Sequence, residues 1–165
     1  MFARVVSAAA MALLLVSCAK DAASPASVEK PADTRAIALH FNAAPGLNPG
    51  ATGEPAPVRV RIYELKNSAT FLRSDYFALA ERAQATLGAD LVDQDEVLIQ
   101  PGQQLHIERD LNPATRQVGL VVGYREIDQA RWRGVLSVSS RQTTPLRIDL
   151  DTRAVNVPSS TRPAQ

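Results

Sequence analysis

The sequence predicts a mainly β fold: a two-sheet β-sandwich with one helical insertion after the second strand. Three observations point to it. Apolar residues recur at every second position in seven or eight short stretches, the period of a half-buried strand. Turn residues separate these stretches, and 11 prolines and 8 glycines in 165 residues argue against an all-helical bundle. Helical spacing occurs in one place, after Ser74. Many short strands between turn signals favour two packed sheets.

The first strand is Ile37, Leu39 and Phe41 alternating with Ala36, Ala38, His40 and Asn42. The segment Ala43–Pro57 (AAPGLNPGATGEPAP) follows; its four prolines and three glycines keep it from adding a strand or helix. It is long for a link between neighbouring strands, where loops run about 2–5 residues. Long loops on a rigid scaffold often carry recognition, although composition alone fits a plain mobile loop equally well. Val58, Val60 and Ile62 alternate with Arg59, Arg61 and Tyr63 in the second strand, with the arginines on its solvated face. Ser74 is the expected cap of a helix from Asp75 to Leu87, with Gly88 to end it. Tyr76, Ala80, Ala83 and Leu87 would share its buried face, and Asp75 would complement the macrodipole. Val97 and Ile99 lead to Pro101-Gly102, and Leu105 and Ile107 resume the alternation, which reads as a hairpin. Val118–Tyr124 is apolar on both faces and so belongs centrally in a sheet. Trp132–Ser139 is a weaker strand; Leu146, Ile148 and Leu150 form the next, and Val155 with Val157 a short last one. The sandwich should occupy residues 35–157, with a disordered tail at 158–165.

The N-terminus has a different character. Arg4 precedes an almost wholly apolar run from Val5 to Val16 of 12 residues, too short for the roughly 20 that span a bilayer. That is the layout of a secretory signal peptide over residues 1–17. It ends in Leu15-Val16-Ser17-Cys18, which resembles the lipobox of bacterial lipoproteins, and Cys18 is the one cysteine of the chain. Cys18 is therefore expected to be acylated as the mature N-terminus. Several acyl chains together anchor stably, each buried methylene adding about 0.8 kcal/mol. Ala19 follows Cys18, where an Asp would be associated with inner-membrane retention, so outer-membrane sorting with the domain in the periplasm is expected. Residues 18–34 hold the acylated cysteine and a flexible tether rich in Ala, Ser and Pro. Such a coil keeps the domain roughly 20–25 Å from the membrane.

Composition excludes several classes of chemistry. Eighteen Lys+Arg against 17 Asp+Glu leave no global field to attract nucleic acid. One cysteine allows no disulfide framework or cysteine zinc cage. His40 and His106, the only histidines, lie far apart in sequence and read as solvent-facing strand residues, so no metal is expected. Asp90, Asp93, Asp95 and Glu96 lack the glycine and distal glutamate of an EF-hand and read as a solvated turn. The glycines of residues 46–53 have no following Lys-Ser/Thr or helix, so a phosphate loop fails, and no Gly-x-Ser-x-Gly elbow occurs. Trp132, between Arg131 and Arg133, fits a core residue or an interface patch. No catalytic residue and no cofactor is expected.

Several segments in order are similar to one family. They are the lipobox ending at Cys18, Phe41-Asn42 before a Pro/Gly-rich loop, Pro57-Val58-Arg59-Val60-Arg61-Ile62-Tyr63-Glu64-Leu65, and Phe71 before Asp75-Tyr76-Phe77-x-Leu79. Leu87-Gly88-Ala89-Asp90-Leu91, Pro101-Gly102, Gly119–Arg125 and Trp132-Arg133 follow. Together they resemble the outer-membrane lipoproteins of type VI secretion systems, the TssJ, VasD, Lip or SciN family. The resemblance implies a transthyretin-like sandwich and a non-enzymatic scaffold that binds the periplasmic C-terminal region of TssM, with TssL joining through TssM. It further implies that the loop between the first two strands contacts TssM, here Pro45, Gly46, Leu47, Asn48, Pro49 and Gly50. Leu47 is expected to bury apolar area there and Asn48 to supply hydrogen bonds. Two other classes stay open: a periplasmic ligand- or glycan-binding lipoprotein, and an outer-membrane-associated hydrolase. The first needs a pocket lined by aromatics, the second convergent acids or histidines; 5% aromatic residues and two histidines support neither.

Overall fold

The computed structural model describes residues 35–138 and 145–158. In chain order they form β1 (Arg35–Ala43), β2 (Val58–Leu65), α1 (Ala69–Arg73), α2 (Tyr76–Leu87), β3 (Leu91–Ile99), β4 (Gln104–Leu111), β5 (Gln117–Val122), β6 (Arg133–Ser137), β7 (Leu146–Asp151) and β8 (Ala154–Asn156). Short 3₁₀ turns cover Gly88–Asp90 and Ile127–Gln129. The leader, Cys18, the tether and residues 159–165 of the tail lie outside the described residues.

The strands make two four-stranded sheets, β4-β1-β7-β8 and β3-β2-β5-β6. Period-two patterning decides which side chains meet between them. Leu39, Phe41, Ile148 and Leu150 from the first sheet join Val58, Val60, Ile62, Leu120 and Val122 from the second in one continuous core. β5 is buried on both faces, as its apolar run requires. Its second face, with Tyr63 and Leu65 of β2, packs against Phe71 of α1 and Leu79, Ala83 and Leu87 of α2. The described residues thus form three layers, with the helices covering the outer face of the second sheet. Gly119 of β5 lets the helical layer settle: a Cβ there would lie 2.7 Å from the Phe71 ring.

Four local expectations are corrected. The cap of α2 is Asp75, whose side chain accepts from the Ala78 N–H at 2.9 Å. Ser74 instead ends α1, a helix the sequence reading missed, and its hydroxyl donates to the Thr70 carbonyl at 2.8 Å. The turn at Pro101-Gly102 does not make a hairpin, because β3 pairs with β2 and β4 with β1 in the opposite sheet. Turn residues reverse a chain without deciding whether the flanking strands hydrogen-bond. Lastly, Asp93, Asp95 and Glu96 lie within β3; as an exposed edge strand it can carry charge that a central strand cannot.

Strand direction sorts the connections between two poles. β1 starts at Arg35, paired with Leu111, and ends at Ala43, paired with Leu150. At the Ala43 pole lie the β1–β2 loop, the β3–β4 turn, the β5–β6 connection and the β7–β8 turn. The Arg35 pole receives the chain from the N-terminal side and holds the β4–β5 connection, where the Arg35 guanidinium donates to the Thr115 carbonyl at 3.2 Å.

Candidate functional site

The β1–β2 loop is built from its root outward. Ala44 continues the ladder by donating to the Leu150 carbonyl at 2.8 Å, and its own carbonyl accepts from Leu47 and Gly102 at 3.1 Å each. Leu47 turns inward and belongs to the inter-sheet core, with 0% of its surface exposed. The Ala56 N–H closes the loop neck on the Leu47 carbonyl at 3.0 Å.

Asn48 ties the loop to two other connections and to its own end. Its backbone N–H donates to Thr152 of the β7–β8 turn at 2.9 Å. Its side-chain oxygen accepts from the Arg125 N–H at 2.7 Å, and its amide donates to the Pro57 carbonyl at 2.8 Å. It is 3% exposed and sits at φ 51°, a left-handed backbone that Asn tolerates better than most residues. The two residues singled out among the six expected contacts therefore face into the domain: Leu47 closes one end of the core, and Asn48 fixes the loop's course. A lone Leu or Asn in a polar loop carries no mark that separates inward from outward use.

Beyond this root the loop is exposed. Pro45 and Gly46 face solvent, Pro49 and Gly50 are half-buried, and Ala51–Pro55 are exposed. The tip is a tight turn: Gly50 donates to the Glu54 carbonyl at 3.1 Å and Gly53 to the Gly50 carbonyl at 2.9 Å.

The neighbouring connections complete this pole. The Tyr124 ring is buried and its hydroxyl donates to the Asp151 carbonyl at 3.3 Å; burial pushes its pKa well above the ordinary tyrosine value. Arg153 pairs with Glu126 at 2.8 Å, and the Arg131 guanidinium donates to Asn156 at 2.7 Å. These bonds stitch the β5–β6 connection to the β7–β8 hairpin. Trp132 is half-buried and packs against both cores, with Tyr76 edge-on at 5.5 Å and the Arg133 guanidinium over its ring at 4.8 Å. Arg133 also donates to the Phe71 and Ser74 carbonyls at 3.0 and 2.8 Å, holding the end of α1, and its burial lowers its pKa.

Groups that could perform chemistry are engaged structurally elsewhere. Glu64, 2% exposed, accepts from the Thr115 hydroxyl at 2.7 Å and the Asn112 N–H at 3.1 Å, and pairs with Arg109 at 3.3 Å. Arg109 also meets Asp93 and Asp95 at 3.3 and 3.6 Å, so three carboxylates surround one guanidinium between the open edges of the two sheets. His40 and His106, remote in sequence, are cross-strand neighbours with ring centroids 3.9 Å apart. They line an open groove of about 400 Å³ on the outer face of the first sheet. No cluster of three or more His, Cys, Asp or Glu among the described residues is placed to hold a metal ion.

Comparison with known proteins places this arrangement. A family model described as the type VI secretion lipoprotein (VasD, EvfM, TssJ) matches residues 35–153. The crystal structure of the type VI secretion lipoprotein TssJ1 from Pseudomonas aeruginosa is 48% identical, with a TM-score of 0.73 over 80% of this chain and 99% of that one. Serratia marcescens Lip, described as a membrane-bound component of the type VI secretion system, is 25% identical over 76% of this chain and 96% of its own, with a TM-score of 0.69. A chain in a structure described as the TssM C-terminal domain from EAEC is 29% identical over 75% of this chain and 98% of that one, with a TM-score of 0.64. The comparison with curated protein sequences returns no match.

Proposed function

The chain belongs to the type VI secretion lipoprotein family, and from that premise we propose that it is a non-enzymatic scaffold at the periplasmic face of the outer membrane. Acylated Cys18 is the anchor, and the Ala43 pole binds the periplasmic C-terminal region of TssM, through which TssL joins the assembly. The observation that carries the reading is the polarity of β1. The anchored segment enters at Arg35, and the exposed loop leaves from Ala43 at the far end of a nine-residue strand. At about 3.3 Å per residue this sets the loop roughly 25–30 Å beyond the point where the tether joins. The likeness to a chain in a structure described by TssM supports the choice of partner.

The contact surface is the outward part of the loop. Pro45, Gly46, Pro49 and Gly50 remain contact candidates, joined by Ala51–Pro55, while Leu47 and Asn48 hold the loop in position. A backbone tied at both ends loses less conformational entropy on docking than a free loop. The ligand-binding alternative gains nothing from the space between the sheets, which core side chains fill.

The test is a pull-down of the full chain, purified as the cell processes it, with the periplasmic C-terminal region of TssM from the same genome. A variant lacking Ala51–Gly53 keeps Leu47, Asn48 and Ala56 and so keeps the fold. Capture by the intact chain and its loss in that variant support both partner and surface. Capture that survives the deletion moves the interface elsewhere, and no capture by the intact chain overturns the reading. Labelled palmitate entering the wild type and absent from Cys18→Ala tests the anchor.

A further inference from the structure

Arg125 has a setting that the loop alone does not explain. It lies on the exposed side of the β5–β6 connection. Its backbone N–H is held by Asn48 at 2.7 Å, which fixes where the side chain starts. Its guanidinium lies against Gly50: a Cβ at that position would fall 2.6 Å from Nη1. The adjacent carboxylate, Glu126, pairs with Arg153 instead. Among the described residues no carboxylate pairs with Arg125, and its guanidinium stands beside the exposed loop tip.

An arginine on a surface usually finds a neighbouring carboxylate or swings freely in water. Here one end is fixed by the loop root and the guanidinium of this exposed residue lies against a bare glycine backbone, which narrows its range. A guanidinium so held offers a planar fork matched to a carboxylate, and arginine is enriched among residues that dominate interface energies. Gly50 and Arg125 thus form one surface contributed by two connections.

We propose that Arg125 is a partner-contact residue that takes an Asp or Glu carboxylate of the docked protein, so that the interface spans the β1–β2 loop and the β5–β6 connection together. This rests on the reading of the Ala43 pole as the TssM-binding surface. The contact sets orientation as well as affinity, because the fork meets a carboxylate along one edge. A side chain at Gly50 would push the guanidinium off this seat, a shift the end of a flexible side chain makes at small cost.

The experiment measures Kd between the full chain, purified as the cell processes it, and the periplasmic C-terminal region of TssM. Wild type, Arg125→Ala, Arg125→Glu and Gly50→Ala are compared. The expected results are about a tenfold weakening for R125A, as for loss of one charge-assisted hydrogen-bonded contact, a larger loss for R125E, and a smaller loss for G50A. Because R125E could also disturb the loop, single Asp or Glu→Lys variants of the partner are tested against it; recovery by one of them shows a direct contact. R125E binding like wild type, or weakened binding that no partner substitution recovers, overturns the proposal. Failure of the wild type itself to bind refutes the underlying functional reading, a distinct outcome.

Discussion

Replacing Asn48 with alanine should destabilise the domain by about 3 kcal/mol, although the residue lies in a loop. Three contributions make up this figure. Two side-chain hydrogen bonds, at 2.7 and 2.8 Å, are lost, each worth about 1 kcal/mol. Alanine must also take up φ 51°, a left-handed backbone costing it roughly 1 kcal/mol. The Arg125 N–H, left facing an apolar methyl, pushes the total upward. Asn48→Gly separates these contributions, because glycine adopts the same backbone without strain; it should cost about 2 kcal/mol. Equilibrium urea unfolding reads both, and N48A should melt roughly 10 °C below wild type. A value for N48A within about 0.5 kcal/mol of wild type would refute the anchoring role. Equal losses in N48A and N48G would remove backbone strain from the explanation. The same variants should weaken partner capture even though Asn48 itself is buried.

Three further outcomes follow from packing and charge. Gly119→Ala drives a methyl to 2.7 Å from the buried Phe71 ring and should cost about 2 kcal/mol; Phe71→Leu in the same chain should recover part of it, as a double-mutant cycle would show. Glu64→Gln keeps an acceptor for Thr115 but presents an amide to Arg109, so denaturant unfolding should reveal a loss of about 2 kcal/mol, limited by the carboxylates Arg109 retains. Tyr63 donates to the Leu79 carbonyl at 2.8 Å, and burial raises its pKa from 10.0 to about 12. The folded state therefore favours the neutral phenol, so its contribution is complete below pH 10 and is lost as pH rises toward 12. Urea midpoints between pH 8 and 11 should fall more steeply in wild type than in Tyr63→Phe, with the buried Tyr124 contributing in the same direction in both.

What was readable in the sequence was whatever alternation alone decides. Val58-Arg59-Val60-Arg61-Ile62 and Leu146–Leu150 could be only half-buried strands, and the unbroken run at Val118–Val122 only a central one. Sheet membership was less legible, because Pro101-Gly102 gives the same turn signal within a hairpin and between sheets. β3 was partly hidden because its edge position permits an acidic sequence that elsewhere marks a loop. Within the candidate site, Pro and Gly content identified the loop but not its orientation. Leu47 is drawn inward by the inter-sheet core and Asn48 by hydrogen bonds with Pro57, Arg125 and Thr152, none of which local pattern reveals. Arg125 likewise carried no signal of its own; only the fold brings it onto Gly50. The helix face was read correctly at Ala83 and Leu87, whereas Asp75 took the capping role expected of Ser74 because α1 already uses that serine.

The placement of β1 has a mechanical consequence. It is an interior strand, antiparallel to β4 on one side and parallel to β7 on the other. In the function proposed above, the anchored segment joins one of its ends and the docking loop leaves from the other, so tension between membrane and partner would run along its length. Under such loading the cross-strand hydrogen bonds lie across the force and are sheared together; they cannot open one after another. Drawing the strand out would also require Leu39 and Phe41 to leave the core in the same movement. A load entering through the three-residue edge strand β8 would instead unzip it bond by bond. The connectivity thus routes tension through the strand held on both flanks, the geometry of a clamp.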